Sequence, residues 1–447
     1  MTPKTSRLDR FADAIVRFIP DAITSSVILL VILVAGALLL GDAPLKIAEA
    51  YYQGFWSLLP FTGQMSFVIL MGGALSKTPF FRRLIERLAR VPRTANQLIT
   101  LAVLMAATAS YCFWGLGYAL GPLIAIHFAR EAERKGIAIH FPFLLATTFA
   151  SNAVWQFGLS ASAPLLIATP GHFLEKSIGV VPLSRTIWSP AALLDVGLYI
   201  TAVMITGCLL MPKTHRPLSH FAGAQALTEP DAHEQKPPVS YSEKLEHHTA
   251  TPLLLCAALL TWLWIHFIHK GASLNINSLN ITLLLLTLWL HGSVKNFSRA
   301  LEKAAASAWP IIVLYHLYAG LSGLIEHTSV GMRAASLVAA ASSPTTFPAL
   351  SAVIGTVFAF FIPSSGGQWA VQGLVTTQSA MAVGVSVERA LLSMSVGDHM
   401  GNLTAPFWYV IVAGVARVDF RTFFGYGLIY AALWFAIGAV VFTFAPC

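Results

Sequence analysis

Long apolar runs separated by short polar segments dominate the chain. A helix needs roughly 20 apolar residues to cross about 30 Å of hydrocarbon, and several runs are close to this length. The unbroken candidates for membrane spans cover residues 22–40, 61–75, 191–211, 252–268, 276–290, 309–325 and 424–444. The pattern predicts an all-α polytopic membrane protein.

Four further apolar tracts are not typical of single straight spans. The tract at residues 391–415 is interrupted by Gly397, Asp398 and Asn402. The three tracts that are too long for one crossing cover residues 97–127, 142–169 and 347–383. Irregular backbone at membrane depth is tolerated only where protein or a water-filled cavity satisfies it. We therefore expect broken helices and re-entrant helical hairpins in these tracts.

Composition and charge agree with a lipid environment. Charged residues make up only 11% of the chain and hydrophobic residues 56%, whereas soluble domains carry about 25% charged residues. The net charge of +8 comes from short Lys and Arg clusters between the apolar runs, not from one basic face that could bind nucleic acid. A cytoplasmic N-terminus places 22 of the 28 basic residues inside, the bias expected of cytoplasmic loops. We expect contacts with membrane lipids and none with nucleic acid.

The two halves of the chain share an order of features. A shift of 250 residues places the break at 114–117 on that at 364–367, and a shift of 242 places 160–164 on 402–406. An additional span lies between the two halves, and the predicted topology turns the second half upside down, as in secondary transporters with discontinuous helices. The alternative interpretation is that the shared order reflects only the periodicity that all polytopic chains have, and not a repeat. The predicted organisation is a first repeat at 1–211, a cytoplasmic polar linker at 212–250, a connecting transmembrane helix at 251–270 and an inverted repeat at 271–447, with about 11 net crossings.

The segment at residues 358–369, FAFFIPSSGGQW, is a candidate binding tip. Pro363 stops a helix, and the two glycines that follow Ser364 and Ser365 allow a tight turn with free N–H groups. The N-terminus of the following half-helix favours an anion. A simple helix kink is the alternative. The loops at 114–117 and 160–164 would form the opposite wall, with Asn152, Trp155 and Gln156 just before the second.

Asp398 lies inside an apolar segment, where an ionised carboxylate costs at least roughly 3 kcal/mol. A proton, a bound Na⁺ held with Asn402, or the neighbouring His399 would compensate it, and a structural hydrogen bond is the alternative. Asp195 also lies in a span, but one turn from the outer end, so we expect it to reach the interface. The cysteines and histidines have no spacing typical of a metal site, and no catalytic residue or cofactor is expected.

These patterns predict two groups of site residues. The residues expected to bind the substrate are Ser364, Ser365, Gly366, Gly367, Gln368, Trp369, Ser160, Ser162, Trp114 and Gly115. The residues expected at the ion-coupling site are Asp398, Asn402, Thr404 and Asn152.

Several motifs together resemble the bacterial short-chain fatty acid transporter family. They are Phe55-Trp56 with Gln64-Met65, Trp114-Gly115, PLLIATPG at 164–171, the spacing of Asn275, Asn277 and Asn280, PSSGGQW at 363–369 with Gln372-Gly373, and Pro406-Phe407-Trp408. The resemblance covers nearly the whole chain. Ser365 replaces a glycine of the family's tip, and Leu374 replaces a proline.

The resemblance implies a multi-pass protein of the bacterial inner membrane that imports small monocarboxylates such as acetoacetate or butyrate. Related carriers couple transport to H⁺ or Na⁺ and are commonly dimers with elevator-like motion, so a homodimer is expected. Asp398 matches the family's acidic position, and residues 364–367 match its tip. A carrier of another anion, such as a dicarboxylate or an acyl amino acid, is a second hypothesis, although no broken tract has a central Lys or Arg. A lipid-modifying membrane enzyme is a third and would need a clustered acid-base or metal set.

Overall fold

The computed structural model describes residues 20–227, 240–306 and 308–446, and these are almost entirely helical. The helices of the first half are α1 (Ala22–Leu39), α2 (Pro44–Phe55), α3 (Leu59–Leu75), α4 (Pro79–Ala89), α5 (Ala95–Cys112), α6 (Trp114–Arg134), α7 (Phe141–Ala150, continued by the 3-10 turns Ser151–Phe157), α8 (Ser162–Ile167), α9 (Glu175–Ile178) and α10 (Pro190–Leu209). Between the halves lie α11 (Ala222–Ala226), α12 (Tyr241–His247) and α13 (Ala250–Trp264, with the π turn Ile265–His269). The second half contains α14 (Ile276–His291), α15 (Val294–Ala305), α16 (Trp309–His327), α17 (Ser329–Ala340), α18 (Phe347–Ala359), α19 (Ser365–Ala382), α20 (Val387–Thr404), α21 (Pro406–Ala416) and α22 (Arg421–Phe444).

The order of elements repeats between the halves, which confirms the predicted fold class. Each half runs through a span, a short helix of 12 residues, a second span, another short helix, a helix pair, a broken helix and a final span. The two halves interlock, because α2 packs on α16 and α15 packs on α3. At the first crossing, a Cβ on Gly54 would lie 2.6 Å from the Cα of Gly323. Only glycine allows this approach of two backbones.

Both long helix pairs are helical hairpins whose two ends lie together. After α6, the Lys135 ammonium donates to the carbonyl of Arg90 and, at 2.8 Å, to that of Pro92, both of which precede α5. The two ends of hairpin 1 (α5 and α6) therefore lie on the same side. In hairpin 2 (α18 and α19), Phe347 at the start of α18 packs with Ala380 at the end of α19. Hairpin 1 reverses at Phe113, which has extended backbone at φ −157° and ψ 118°.

The break in the last interrupted tract lies elsewhere than expected. Helix α20 runs unbroken through Gly397, Asp398 and Asn402, and the chain becomes extended only at Ala405. Pro406, the first residue of α21, explains this because a proline disfavours helical backbone in the residue before it. Gly397 serves packing instead: a Cβ there would lie 2.0 Å from the carbonyl oxygen of Ala352 on α18.

Five helices of the described residues are long and apolar enough to cross a membrane, and two bent pairs raise this to seven. The five are α1, α5, α10, α13 with its π turn, and α22. The bent pairs are α2 with α3, at 42°, and α15 with α16, at 50°. The total of about 11 crossings, the repeat boundaries and the side of each loop stay predictions. Residues 1–19 and the middle of the predicted linker, 228–239, lie outside the described part of the chain.

Candidate functional site

The tip of hairpin 1 binds the break that follows α7. The backbone N–H of Trp114 donates to the Ser160 hydroxyl at 2.9 Å, and the N–H of Leu159 donates to the carbonyl of Tyr111 at 2.8 Å. Deeper in the hairpin, the Ser110 hydroxyl donates to the carbonyl of Asn152 at 2.8 Å. The two irregular segments therefore lie side by side.

The tip of hairpin 2 lies against the same region. Ser364 caps α19 and accepts from the N–H of Gly367 at 3.4 Å, while its hydroxyl also meets that of Tyr315 at 3.1 Å. A Cβ on Gly366 would lie 3.2 Å from the Cβ of Ser162 and 2.7 Å from the Phe61 ring. Residues of both repeats thus meet at this tip.

The two serines of the tip differ in what their hydroxyls can still bind. Ser364 is half-buried and already has two partners, whereas Ser365 is buried with a hydroxyl that has none. Gln368, one turn into α19, donates to the carbonyl of Gly355 at 2.9 Å and to Gln372 at 3.0 Å. A ligand at the tip would therefore find the Ser365 hydroxyl and the N-terminus of α19 available.

Asp398 is fully buried and joins the two halves. One carboxylate oxygen accepts from the side-chain amides of Gln156 and, at 3.2 Å, of Asn402, and the other oxygen has no partner. The indole N–H of Trp408 in turn donates to the Asn402 carbonyl oxygen at 3.2 Å. Shifting the repeats by 242 residues superposes Gln156 on Asp398. This hydrogen bond thus joins equivalent positions of the two repeats.

His399 makes no hydrogen bond to Asp398, contrary to one of the predicted alternatives. Its ring lies between the side chains of Trp155, at 6.1 Å, and Trp434, at 5.4 Å, and both ring nitrogens are buried without a partner. Because His399 directly follows Asp398 on the helix, its ring points away from Gln156 and Asn402, which donate to the carboxylate. The side chains that donate to Asp398 are the amides of Gln156 and Asn402.

Buried polar atoms without a partner are concentrated around these segments. Such atoms are rare in folded proteins unless water, an ion or a ligand completes them. They belong to Asn152, Gln156, Ser365, Gln368, Ser395 and Asp398, and to the indoles of Trp114, Trp155 and Trp369. No three His, Cys, Asp or Glu side chains within the described ranges come together as a metal-binding group. The unpartnered groups suit a small polar ligand or a monovalent cation better than a transition metal.

Three predicted site residues have a weaker connection to the site than the residues above. The Thr404 hydroxyl is satisfied within its own helix by the carbonyl of Met400 at 2.9 Å. Trp369 is buried beside Gly373, one turn beyond the tip, and Gly115 lies against the Phe113 ring.

The expectation that Asp195 reaches the membrane interface is wrong. Asp195 has no exposed surface, because α10 turns this face towards the protein.

Two aromatic residues outside the predicted set also line the site. Tyr315 stacks on Phe61 with ring centroids 5.3 Å apart, and Trp408 stacks on Tyr118 at 4.2 Å. Trp408 belongs to a motif that carried the family resemblance. Nothing local to Tyr315 signals its role, which depends on how α16 packs.

Comparison with solved structures supports the same architecture. The fold is similar to that of the Alcanivorax borkumensis YdaH transporter, with a TM-score of 0.63 and 16% identity over 95% of this chain and 98% of that one. It is also similar to Neisseria gonorrhoeae MtrF, described among antimetabolite efflux pumps, with a TM-score of 0.56 and 14% identity over 98% and 97% of the two chains. At these identities the likeness concerns the fold alone.

Comparison of sequences identifies the family. The model of the short chain fatty acid transporter family matches residues 5–444. Two curated proteins named for short-chain fatty acid transport, from Escherichia coli K12 and Haemophilus influenzae, are each 28% identical, over 98% and 97% of this chain and 99% of their own lengths. The protein is therefore a multi-pass inner-membrane transporter, and the chain belongs to the short-chain fatty acid transporter family.

Proposed function

We propose that the protein imports short-chain fatty acids, small monocarboxylates such as butyrate or acetoacetate, by alternating access coupled to H⁺ or Na⁺. The tip of hairpin 2 carries this proposal, because it offers a helix N-terminus and a buried, unpartnered hydroxyl at Ser365 between the two repeats. A carboxylate is the anion that such donors suit. The family membership supports this substrate class.

The surroundings of the tip favour one charge and a short apolar chain. Phe61 and Tyr315 stack beside Gly366 and form an apolar wall for an alkyl group. The described residues that line this tip include no Lys or Arg. A second carboxylate would then lack a counter-charge, which disfavours dicarboxylates. Ser160, Ser162 and the Trp114-Gly115 turn form the opposite wall in this proposal.

Asp398 is the proposed coupling group. One Asp398 oxygen has no partner, and Gln156, which donates to the other, has an unpartnered carbonyl oxygen of its own. Asn152, one turn earlier on the same segment, has another unpartnered oxygen. Such a set can hold either a proton on Asp398 or a Na⁺ ion among neutral oxygens, with Asn402 fixing the carboxylate. Thr404 would contribute from the end of the helix. We also propose a homodimer, which mass measurement of the purified protein in lipid nanodiscs would test.

Uptake of labelled butyrate and acetoacetate into proteoliposomes, under separately imposed pH and Na⁺ gradients, tests the transport proposal. We expect one of the two gradients to drive accumulation, with unlabelled monocarboxylates competing and dicarboxylates not. Absence of uptake of any monocarboxylate, or stronger competition by a dicarboxylate or an acyl amino acid, would refute the proposed substrate class.

Asp398→Asn tests the coupling role. Asparagine keeps the shape and a carbonyl acceptor for the Gln156 and Asn402 amides, but it cannot bind a proton and has no charge for Na⁺. We expect gradient-driven accumulation to be lost while exchange of labelled for unlabelled substrate continues. Asp419→Asn, in an exposed loop, is the matched control. Unchanged coupled uptake in Asp398→Asn would show that the ion site lies elsewhere.

A further inference from the structure

A second buried carboxyl lies outside the site just described. Asp195 on α10 has no exposed surface, and neither of its carboxylate oxygens has a hydrogen-bond partner. Asp398, equally buried, accepts from two amides, so the two acids are in different environments. A structural aspartate at such depth would normally be hydrogen-bonded.

Its depth follows from the antiparallel packing of α10 on α5. Near the end of α10, the Cys208 thiol lies 3.8 Å from the carbonyl of Asn96, at the start of α5. Thirteen residues back along α10, at about 1.5 Å per residue, Asp195 is level with the end of α5 at residues 109–111. The tip of hairpin 1 follows immediately. Asp195 thus lies at the depth of the tip of hairpin 1 and is fully buried there.

The elements packed against α10 supply no counter-charge at this level. Helix α7 and its 3-10 continuation contain no titratable residue. On α5 the titratable residues are Tyr111 and Cys112, and on α22 they are Arg421, Tyr426 and Tyr430, all in its first half. Tyr430 lies near the other end of α10, where its hydroxyl meets Thr147 at 2.7 Å.

On α10 itself, Tyr199 is the titratable residue one turn from Asp195. Its hydroxyl donates to the carbonyl of Ala150 at 3.1 Å and so is directed to α7. An ionised Asp195 would therefore lie at membrane depth with no partner, which is costly. The same group is stable as a neutral acid.

We propose that Asp195 is a second proton-binding group of the transport cycle, protonated in this conformation and ionised in another. The carboxylic O–H bond breaks when the segments around hairpin 1 rearrange and admit water, which takes the proton, and it re-forms on return. A proton bound in only one of two conformations shifts the equilibrium between them. This proposal rests on the proposed alternating-access transport.

Infrared difference spectroscopy detects the protonation of a carboxyl group directly. It would be applied to membranes of the reconstituted protein across a pH titration and on addition of butyrate. We expect a protonated-carboxyl carbonyl band that responds in the wild type, persists in Asp398→Asn and Asp419→Asn, and disappears in Asp195→Asn. Proton uptake per substrate, measured with a pH dye in the liposomes, should fall in Asp195→Asn. An unchanged spectrum and unchanged proton uptake in Asp195→Asn would overturn the proposal.

Two further measurements cover the cases in which Asp195→Asn does not fold or the wild type does not transport. If Asp195→Asn does not assemble, Asp195→Glu keeps the acid and should shift the band, and a band that does not shift overturns the assignment. If the wild type takes up no monocarboxylate, the transport proposal fails, yet the pH-dependent band still reports whether Asp195 titrates. Failure of transport and failure of this inference are therefore separate observations.

Discussion

Substituting Gly366 by alanine adds one methyl group at the tip of hairpin 2, where the structure leaves no room for it. The new Cβ would lie 2.7 Å from the Cζ of Phe61 and 3.2 Å from the Cβ of Ser162. Carbon atoms prefer separations of about 3.5–4.0 Å. Phe61 cannot easily turn away, because its ring stacks on Tyr315 with an interplanar angle of 17°.

Overpacking of this kind typically costs about 1–3 kcal/mol. The clash exists only in conformations that hold the tip against Phe61, so the cost falls on closing the site around the substrate. An energy of about 1–3 kcal/mol corresponds to roughly a 5- to 150-fold rise in KM for uptake. Overall stability should change less, since alanine favours the helix over glycine by up to about 1 kcal/mol.

Concentration-dependent uptake in proteoliposomes measures this effect. Gly63→Ala is the matched control, because it adds a methyl group to the helix that carries Phe61 and meets nothing within 4 Å. Adding Phe61→Leu to Gly366→Ala should restore much of the lost affinity by making room. A Gly366→Ala protein with wild-type KM would refute the closed-tip reasoning, and so would a raised KM that Phe61→Leu leaves unrelieved.

Three further outcomes are expected. Gly323→Ala should lower the thermal unfolding temperature in detergent far more than Gly197→Ala, because its Cβ would lie 2.3 Å from a carbonyl oxygen of α2 while Gly197 has nothing within 4 Å. Burial lowers the pKa of His140 to about 4, whereas an unfolded histidine has a pKa of about 6.5, so unfolding binds a proton below that pH. Acidification from pH 6.5 to pH 4 should therefore destabilise the wild type by about 3 kcal/mol more than it destabilises His140→Gln, which unfolding measured as a function of pH would show. Tyr315→Phe removes the hydroxyl that meets Ser364, and the loss of one hydrogen bond, about 0.5–1.5 kcal/mol, should raise the uptake KM by roughly 2- to 10-fold.

Much of the architecture could be predicted because helix breakers act locally. The Pro363 to Gly367 segment and the Trp114 turn interrupt apolar tracts that are too long for one crossing, and each proves to be a hairpin tip or its immediate neighbour. Helices α2 and α15 were missed, since both are short and mix charged with apolar residues and so resemble loop segments. The helix breaks at Ala405 and not at the expected glycines, because the glycines in α20 serve helix packing rather than chain reversal.

The site itself could be predicted only in outline. Asp398 and the serines of the tip stand out as polar residues in apolar sequence, and the structure places them on segments that meet. Their partners do not stand out: Tyr315 reaches Ser364 only because α16 crosses hairpin 2. The burial of Asp195 was missed for a related reason, since the side of a span that faces protein is set by its neighbours and not by its distance from the helix end.

The repeat explains why Gln156 and Asp398 meet, and it also suggests why they differ. Related positions in two inverted halves approach each other near the pseudo-two-fold axis, so a residue there faces its own equivalent. Two carboxylates at this place would repel each other and could not both ionise. An amide opposite a carboxyl gives instead one donor and one acceptor, which fix a single ionisable group between the halves. The difference between the repeats at this pair thus leaves one ionisable side chain, Asp398, where Gln156 and its equivalent position meet.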